Sequence, residues 1–105
     1  MMNVWDGPTE FEWDSGNIFK AWMGHKVLPL ECEEAFTNHP RFGENDPKHS
    51  EREARHFFYG RTDKGRLLTI VYTMRGGKIR VISPRDMSQR ERARYDAAVK
   101  RHTGV

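Results

Sequence analysis

Between residues 55 and 83 the chain carries three β-forming runs separated by two glycine-bearing turns, a pattern that restricts the fold more than any other feature. The run 55–61 (RHFFYGR) is followed by TDKG at 62–65, a tight turn with glycine at its left-handed position. RLLTIVYTM at 66–74 is rich in the β-branched and aromatic residues that suit a pleated surface. Gly76 and Gly77 make the next hairpin turn, and KIRVIS at 78–83 returns as a third strand. An antiparallel meander is expected.

Helical signals flank it. Ser88 and Glu91 form an S-x-x-E capping box, which satisfies two free backbone donors reciprocally and starts a final helix over 89–101. Upstream, EFEW at 10–13 alternates charged and aromatic residues and predicts a short strand with Phe11 and Trp13 turned inward. Asp14 and Ser15 offer N-cap oxygens for a helix over 17–25, in which Ile18, Phe19, Trp22 and Met23 share one face and are expected to be core. Pro29 at a first helical turn, followed by Glu31, Glu33 and Glu34 near the positive end of the dipole, predicts a second helix over 29–37. Residues 40–50, with two prolines, a glycine and several polar groups, read as a surface loop. The expected fold is α+β in the order βααβββα, an antiparallel sheet packed against helices.

A chain of 105 residues is expected to form one domain over 1–105, because halves of about 50 residues fall near the size where burial stops offsetting chain entropy. No apolar run approaches the roughly 20 residues that span a bilayer, and no signal-type segment opens the sequence, so a cytoplasmic location without membrane partners is expected. Cys32 is the only cysteine, which excludes an intrachain disulfide and a cysteine zinc cluster. Its acidic neighbours raise a thiol pKa, so a structural role is expected. The net charge of +3 hides an asymmetry: residues 1–59 hold six Lys/Arg against eleven Asp/Glu, and residues 60–105 hold twelve against four. An arginine-rich basic half suits a phosphate-bearing partner, although a solvated surface or an acidic protein partner explains the charge equally well.

Arginine recurs along the meander at Arg61, Arg66, Arg75, Arg80 and Arg85. Burying arginine is costly unless it is paired, so this recurrence implies an exposed cationic face, a shared anionic ligand, or salt bridges to carboxylates such as Asp63 and Asp86. The five histidines show no HExxH and no pair at metal-ligand spacing, so no metal and no cofactor is expected. His25, beside Lys26 at the end of the first helix, fits either a C-terminal cap or a proton carrier near neutrality. His49 and Ser50 read as a turn with a hydroxyl cap. Nucleophile-elbow and nucleotide-loop signatures are absent from the sequence.

Taken in order, FEWD at 11–14, H-x-V at 25–27, PLECEEAF at 29–36, KHS at 48–50, GRLLTIVYTMR at 65–75 and IRVISPRDMSQRERARY at 79–95 resemble the BrnT toxin family. The block 65–95 carries the most specific part, with I-R-x-I-S-x-R and M-x-x-x-E-R-x-x-Y. The resemblance implies a RelE-like ribonuclease fold, RNA as substrate, and neutralisation by a BrnA-type antitoxin that brings a DNA-binding module, so that a heterotetramer contacts operator DNA through the antitoxin. Family positions map onto His25, Arg66, Arg80 and Arg85, and the Glu91-Arg92 pair reads mainly as capping and packing. Two departures stand out: the family's Lys-His-Gly order becomes Gly24-His25-Lys26, and Pro84 replaces a small residue before Arg85.

The expected mechanism is metal-independent attack of an RNA 2′-hydroxyl on its phosphate. His25, Arg66, Arg80 and Arg85 are the catalytic candidates, and Lys20, Lys26, Arg61, Arg75 and Lys78 are the RNA-binding candidates. Two rivals are a non-catalytic antitoxin-binding co-repressor or nucleic-acid-binding module, and a domain that only grips an acidic protein.

Overall fold

The computed structural model describes residues 2–46 and 54–103. Five strands form one antiparallel sheet in spatial order β1-β2-β3-β4-β5: β1 Asn3–Val4, β2 Phe42–Asp46, β3 Arg55–Arg61, β4 Leu67–Arg75 and β5 Lys78–Asp86. The helices are α1 Ser15–His25, α2 Pro29–Thr37 and α3 Gln89–Thr103, so the chain order is βααββββα. Among the described residues no helix is long and apolar enough to cross a membrane.

The meander follows from its turns. Gly76 and Gly77 sit at φ 56° and 78°, the two left-handed positions of a hairpin turn whose twist matches the strands it joins. Arg75 then pairs with Lys78, and Thr73 with Arg80. An irregularity after Val71 moves the register, so that Thr69 faces Arg85 and Leu68 faces Asp86. At α3 the capping box closes as the sequence predicts: the Ser88 N–H donates to Glu91 Oε1 at 2.9 Å and the Glu91 N–H to Ser88 Oγ at 3.2 Å.

Period-two alternation divides the core between the two faces of the sheet. Phe58, Leu68, Ile70, Tyr72, Ile79 and Val81 pack with Cys32, Ala35 and Phe36 of α2, and Phe11 and Trp13 lie against this cluster, partly buried. Tyr59 and Phe42 turn the other way, toward Tyr95 and Ala98 of α3. Phe36 centres the first layer, stacked on Phe58 at 3.8 Å between ring centroids and edge-on to Trp5, Phe11 and Tyr72. Burial within this layer, aided by Glu31 and Glu33, pushes the Cys32 thiol up to about 12.

Three expectations need correction. Residues 10–13 do not form the first strand of the sheet; they run parallel to β5 through a single bridge at Phe11 and Ile79, because the chain turns at once into the α1 cap. There the Asp14 carboxylate accepts the Asn17 N–H and the Asn17 amide oxygen accepts the Asp14 N–H. Part of the expected 40–50 loop is instead β2, whose Phe42 and Gly43 pair with Tyr59 and Phe58 of β3, so tertiary pairing overrides a turn-rich composition. His49 and Ser50 lie outside the described residues.

The third correction concerns α1. The stripe Ile18, Phe19, Trp22 and Met23 is exposed, and the buried residues of the helix are Asn17 and Ala21. Asn17 Nδ2 donates to the carbonyls of Glu12 and Val81, while Ala21 is small enough to let the helix approach the sheet closely. At 100° per residue, docking Asn17 and Ala21 inward turns the aromatic stripe outward.

Candidate functional site

Arg66 lies between the first meander turn and β4, where it meets the C-terminus of α1, the start of α2 and the end of β5. Its Nε donates to Asp86 Oδ1 at 2.7 Å, Nη1 to the Lys26 carbonyl at 2.9 Å and to Glu31, and Nη2 to the His25 carbonyl at 3.1 Å and to Asp86 Oδ2. All five guanidinium N–H groups are thereby engaged. Two of the acceptors are last-turn carbonyls that α1 cannot satisfy internally, so Arg66 fixes where His25 and Lys26 leave the helix.

Asp86 is the second centre of this corner. The Arg66 hydrogen bonds hold its carboxyl below the usual range, and the nearby charges of Arg92 and His25 act in the same direction. Arg66, from the approach to β4, is hydrogen-bonded to Asp86, and the charges of His25 at the end of α1 and Arg92 in the first turns of α3 act on it without direct contact. His25 and Arg92 are both exposed. Asp86 appeared in the sequence only as an alternative salt-bridge partner, and Arg92 mainly as a packing residue; the helix cap at Ser88, two residues after β5 ends, is the local signal linking them.

Arg85 points to the opposite side of β5 from Pro84 and forms a two-point pair with Glu91, at 2.6 Å and 2.9 Å. Burial works to lift the Glu91 carboxyl, but Arg85, the Ser88 N–H and Thr69 outweigh it and hold the group down to about 2. Glu91 is therefore both helix cap and sheet-to-helix tie. Arg94 makes a comparable tie farther along α3, donating to Glu44 at 2.7 Å, while the Tyr59 hydroxyl donates to the other Glu44 oxygen. Sequence reading passed over that network because Glu44 lies in the stretch taken for a loop.

Arg80 stands apart. Its Nη1 lies 2.9 Å from Asp14 and 3.1 Å from Glu12, carboxylates of the segment running beside β5. At about 3.3 Å per residue, its Cα is roughly 15 Å from that of Arg85. Arg75 and Lys78 share this hairpin end, and Arg75 lies 3.9 Å from Glu12. Arg61 is exposed at the end of β3, where Nη2 donates to the His39 carbonyl beside a shallow cavity that Asp63 and Gly65 also line. Lys20 is exposed on α1. Lys26 adopts a left-handed conformation at φ 54°, with its ammonium 5.0 Å above the Trp22 ring. The strand arginines thus do not gather in one open pocket: Arg66, Arg80 and Arg85 each hold different carboxylates.

Among the described residues no group of three His, Cys, Asp or Glu side chains comes together in a way that suits a metal ion. Charge-assisted pairs bind the basic C-terminal half to the acidic N-terminal half, with Arg66 on Glu31, Arg80 on Glu12 and Asp14, and Arg94 on Glu44. Much of the sequence-level charge asymmetry is therefore spent inside the molecule.

Comparison with the curated proteins returns no match. Residues 13–91 match the family described as the ribonuclease toxin, BrnT, of type II toxin-antitoxin systems, a span running from Trp13 through Glu91 and containing both the α1 terminus and the Arg66–Asp86 corner. By that match over most of its length, the chain belongs to the BrnT family of ribonuclease toxins.

Proposed function

We propose that the chain is a cytoplasmic endoribonuclease toxin with a RelE-like fold that cuts RNA at the corner around Asp86, without a metal, and is neutralised by a BrnA-type antitoxin. The observation that carries this placement is the hydrogen-bonded tie of Arg66 to Asp86 and to the His25 carbonyl, within the segment that matches the family, with the charge of Arg92 acting on Asp86 from just beyond that segment. Neutral His25 takes the proton of the RNA 2′-hydroxyl as its oxygen attacks phosphorus. The bond from phosphorus to the 5′-oxygen breaks, that oxygen takes a proton from Lys26, and a 2′,3′-cyclic phosphate remains. Arg92 faces the phosphate oxygens, where a well-placed donor contributes about 3 kcal/mol to the transition state, and Arg85, tied to Glu91 on the other side of β5, holds the helix that carries Arg92.

In this reading Arg66 is a positioning residue, because its donors are already committed to Asp86, Glu31 and the end of α1. Arg80, Arg75 and Lys78 contact RNA beyond the cleaved bond, with Lys20 and Arg61 as further backbone contacts. Operator DNA is reached through the antitoxin, in a heterotetramer.

A second reading, a non-catalytic antitoxin-binding co-repressor, draws support from the carboxylate pairing of Arg66, Arg80 and Arg85. Incubation of purified protein with RNA in excess EDTA separates the two. Fragments ending in 2′,3′-cyclic phosphate support the enzyme; RNA that stays intact at micromolar protein, with and without added divalent ions, supports the co-repressor.

A further inference from the structure

The exposed stripe on α1 is the largest feature that neither the fold nor the proposed chemistry uses. Ile18 is 39% exposed, Phe19 62%, Trp22 43% and Met23 57%. At about 200 Å² for a large side chain, the four leave on the order of 400 Å² of apolar surface in water, in the size range of functional patches on monomers. Leu28 and Leu30, beyond the helix end, are exposed as well.

The charge on this helix has one sign. From Ser15 to Lys26 the ionisable side chains are Lys20, His25 and Lys26, with no Asp or Glu among them. The Lys26 ammonium sits over the Trp22 ring, so a cation borders the apolar stripe directly. A partner that covers the stripe must bring apolar side chains and, at their margin, carboxylates. Two copies of this helix facing one another would instead oppose their lysines.

We infer that the α1 stripe is the docking surface for the antitoxin, which lays an amphipathic, acid-flanked segment along Phe19, Trp22 and Met23. The inference rests on the proposed reading of the chain as the toxin of a pair, and the family supplies the protein partner that type II systems require. His25 and Lys26 stand at the C-terminal end of the same helix, so a segment lying along the stripe reaches the proposed cleavage corner. Neutralisation then needs no change in the shape of the toxin: the antitoxin occupies the approach to His25.

The test uses full-length toxin and the antitoxin expressed from the adjoining reading frame, with affinity measured by calorimetry at low and high salt. Phe19→Glu and Met23→Glu replace side chains that are more than half exposed, so thermal unfolding is expected to stay within a few degrees of wild type. Binding is expected to weaken at least 100-fold in each variant, Lys20→Glu to weaken it less and mainly at low salt, and Ala97→Glu on α3 to leave it unchanged. Wild-type affinity in Phe19→Glu and Met23→Glu, both folded, overturns the docking surface while leaving the toxin reading in place. A wild-type protein that self-associates through the stripe, dissociating on Phe19→Glu without loss of antitoxin affinity, also overturns it. An antitoxin that does not bind wild-type protein at all overturns the partner reading and the surface together.

Discussion

Arg80 and Arg85 sit on the same strand and both hold carboxylates, yet their surroundings differ. Arg80 reaches Glu12 and Asp14, carboxylates whose side chains are 39% and 52% exposed, on a segment attached to β5 by one bridge. Arg85 makes two bonds to Glu91, only 14% exposed, which also caps α3 and accepts from Thr69. The Arg80 guanidinium is itself only 18% exposed, but its carboxylates stand open to water, so each can exchange for solvent or for a phosphate at little cost. The Arg85 pair joins sheet to helix, and with Arg66 it builds the rigid corner on which His25 and Arg92 are presented. Recurrent arginines in one strand therefore differ in setting, and on the proposed reading the hairpin end stays available to ligand while the opposite end holds the site in shape.

Substitutions at the two ends should separate them by size of effect. Arg66→Ala should have the largest effect, about 3 kcal/mol of stability in urea unfolding, because Glu31 and Asp86 lose their shared partner and the end of α1 loses its carbonyl donors. Arg66→Lys should recover little of it, since a single ammonium cannot reproduce the planar fork. Arg85→Ala should cost about 2 kcal/mol by freeing Glu91 in a part-buried place. If instead Arg85→Ala proves as mild as Arg80→Ala, expected below about 1 kcal/mol, the two ends are equivalent and the distinction fails.

Acid titration sharpens the same contrast through Glu91. Its carboxyl titrates near 4.5 in the unfolded chain and about 2 in the folded one, so the stability it contributes is complete above about 4.5 and is lost as the pH falls toward about 2. The gap in unfolding free energy between wild type and Glu91→Gln should therefore be widest at pH 6 and close by pH 2. A gap that stays constant with pH would mean that Glu91 is not held ionised by Arg85.

The smallest effect is a gain. Gly24 lies inside α1 with open space where a Cβ would stand, so Gly24→Ala should stabilise by about 0.5–1 kcal/mol in thermal unfolding. Lys26, at φ 54°, stands in the left-handed position after α1 that favours glycine. Here the chain keeps a left-handed lysine, and that lysine lies over Trp22.

Local chemistry made much of this legible in advance. The Gly76-Gly77 turn, the Ser88–Glu91 box and Pro29 each act on their nearest neighbours, and β4, β5, α2 and α3 followed from them. β2 was not legible, because Phe42–Asp46 becomes a strand only through pairing with β3. The α1 stripe was visible as a stripe, but its direction depended on Asn17 finding the Val81 carbonyl across the chain. At the candidate site, His25 and the arginines could be named from sequence; which carboxylate each arginine holds depended on residues far away in the chain, at Glu12, Asp14 and Glu31.

On the proposed reading, cleavage belongs to the corner at Asp86 and not to the hairpin end of β5. Single-turnover cleavage of RNA in EDTA by folded His25→Ala and Arg80→Ala proteins distinguishes the two places. A loss of about 100-fold or more is expected for His25→Ala and about tenfold at most for Arg80→Ala, the latter recovered at higher RNA concentration because it reflects a backbone contact. Full activity in His25→Ala, with a loss in Arg80→Ala that no RNA concentration restores, would contradict it.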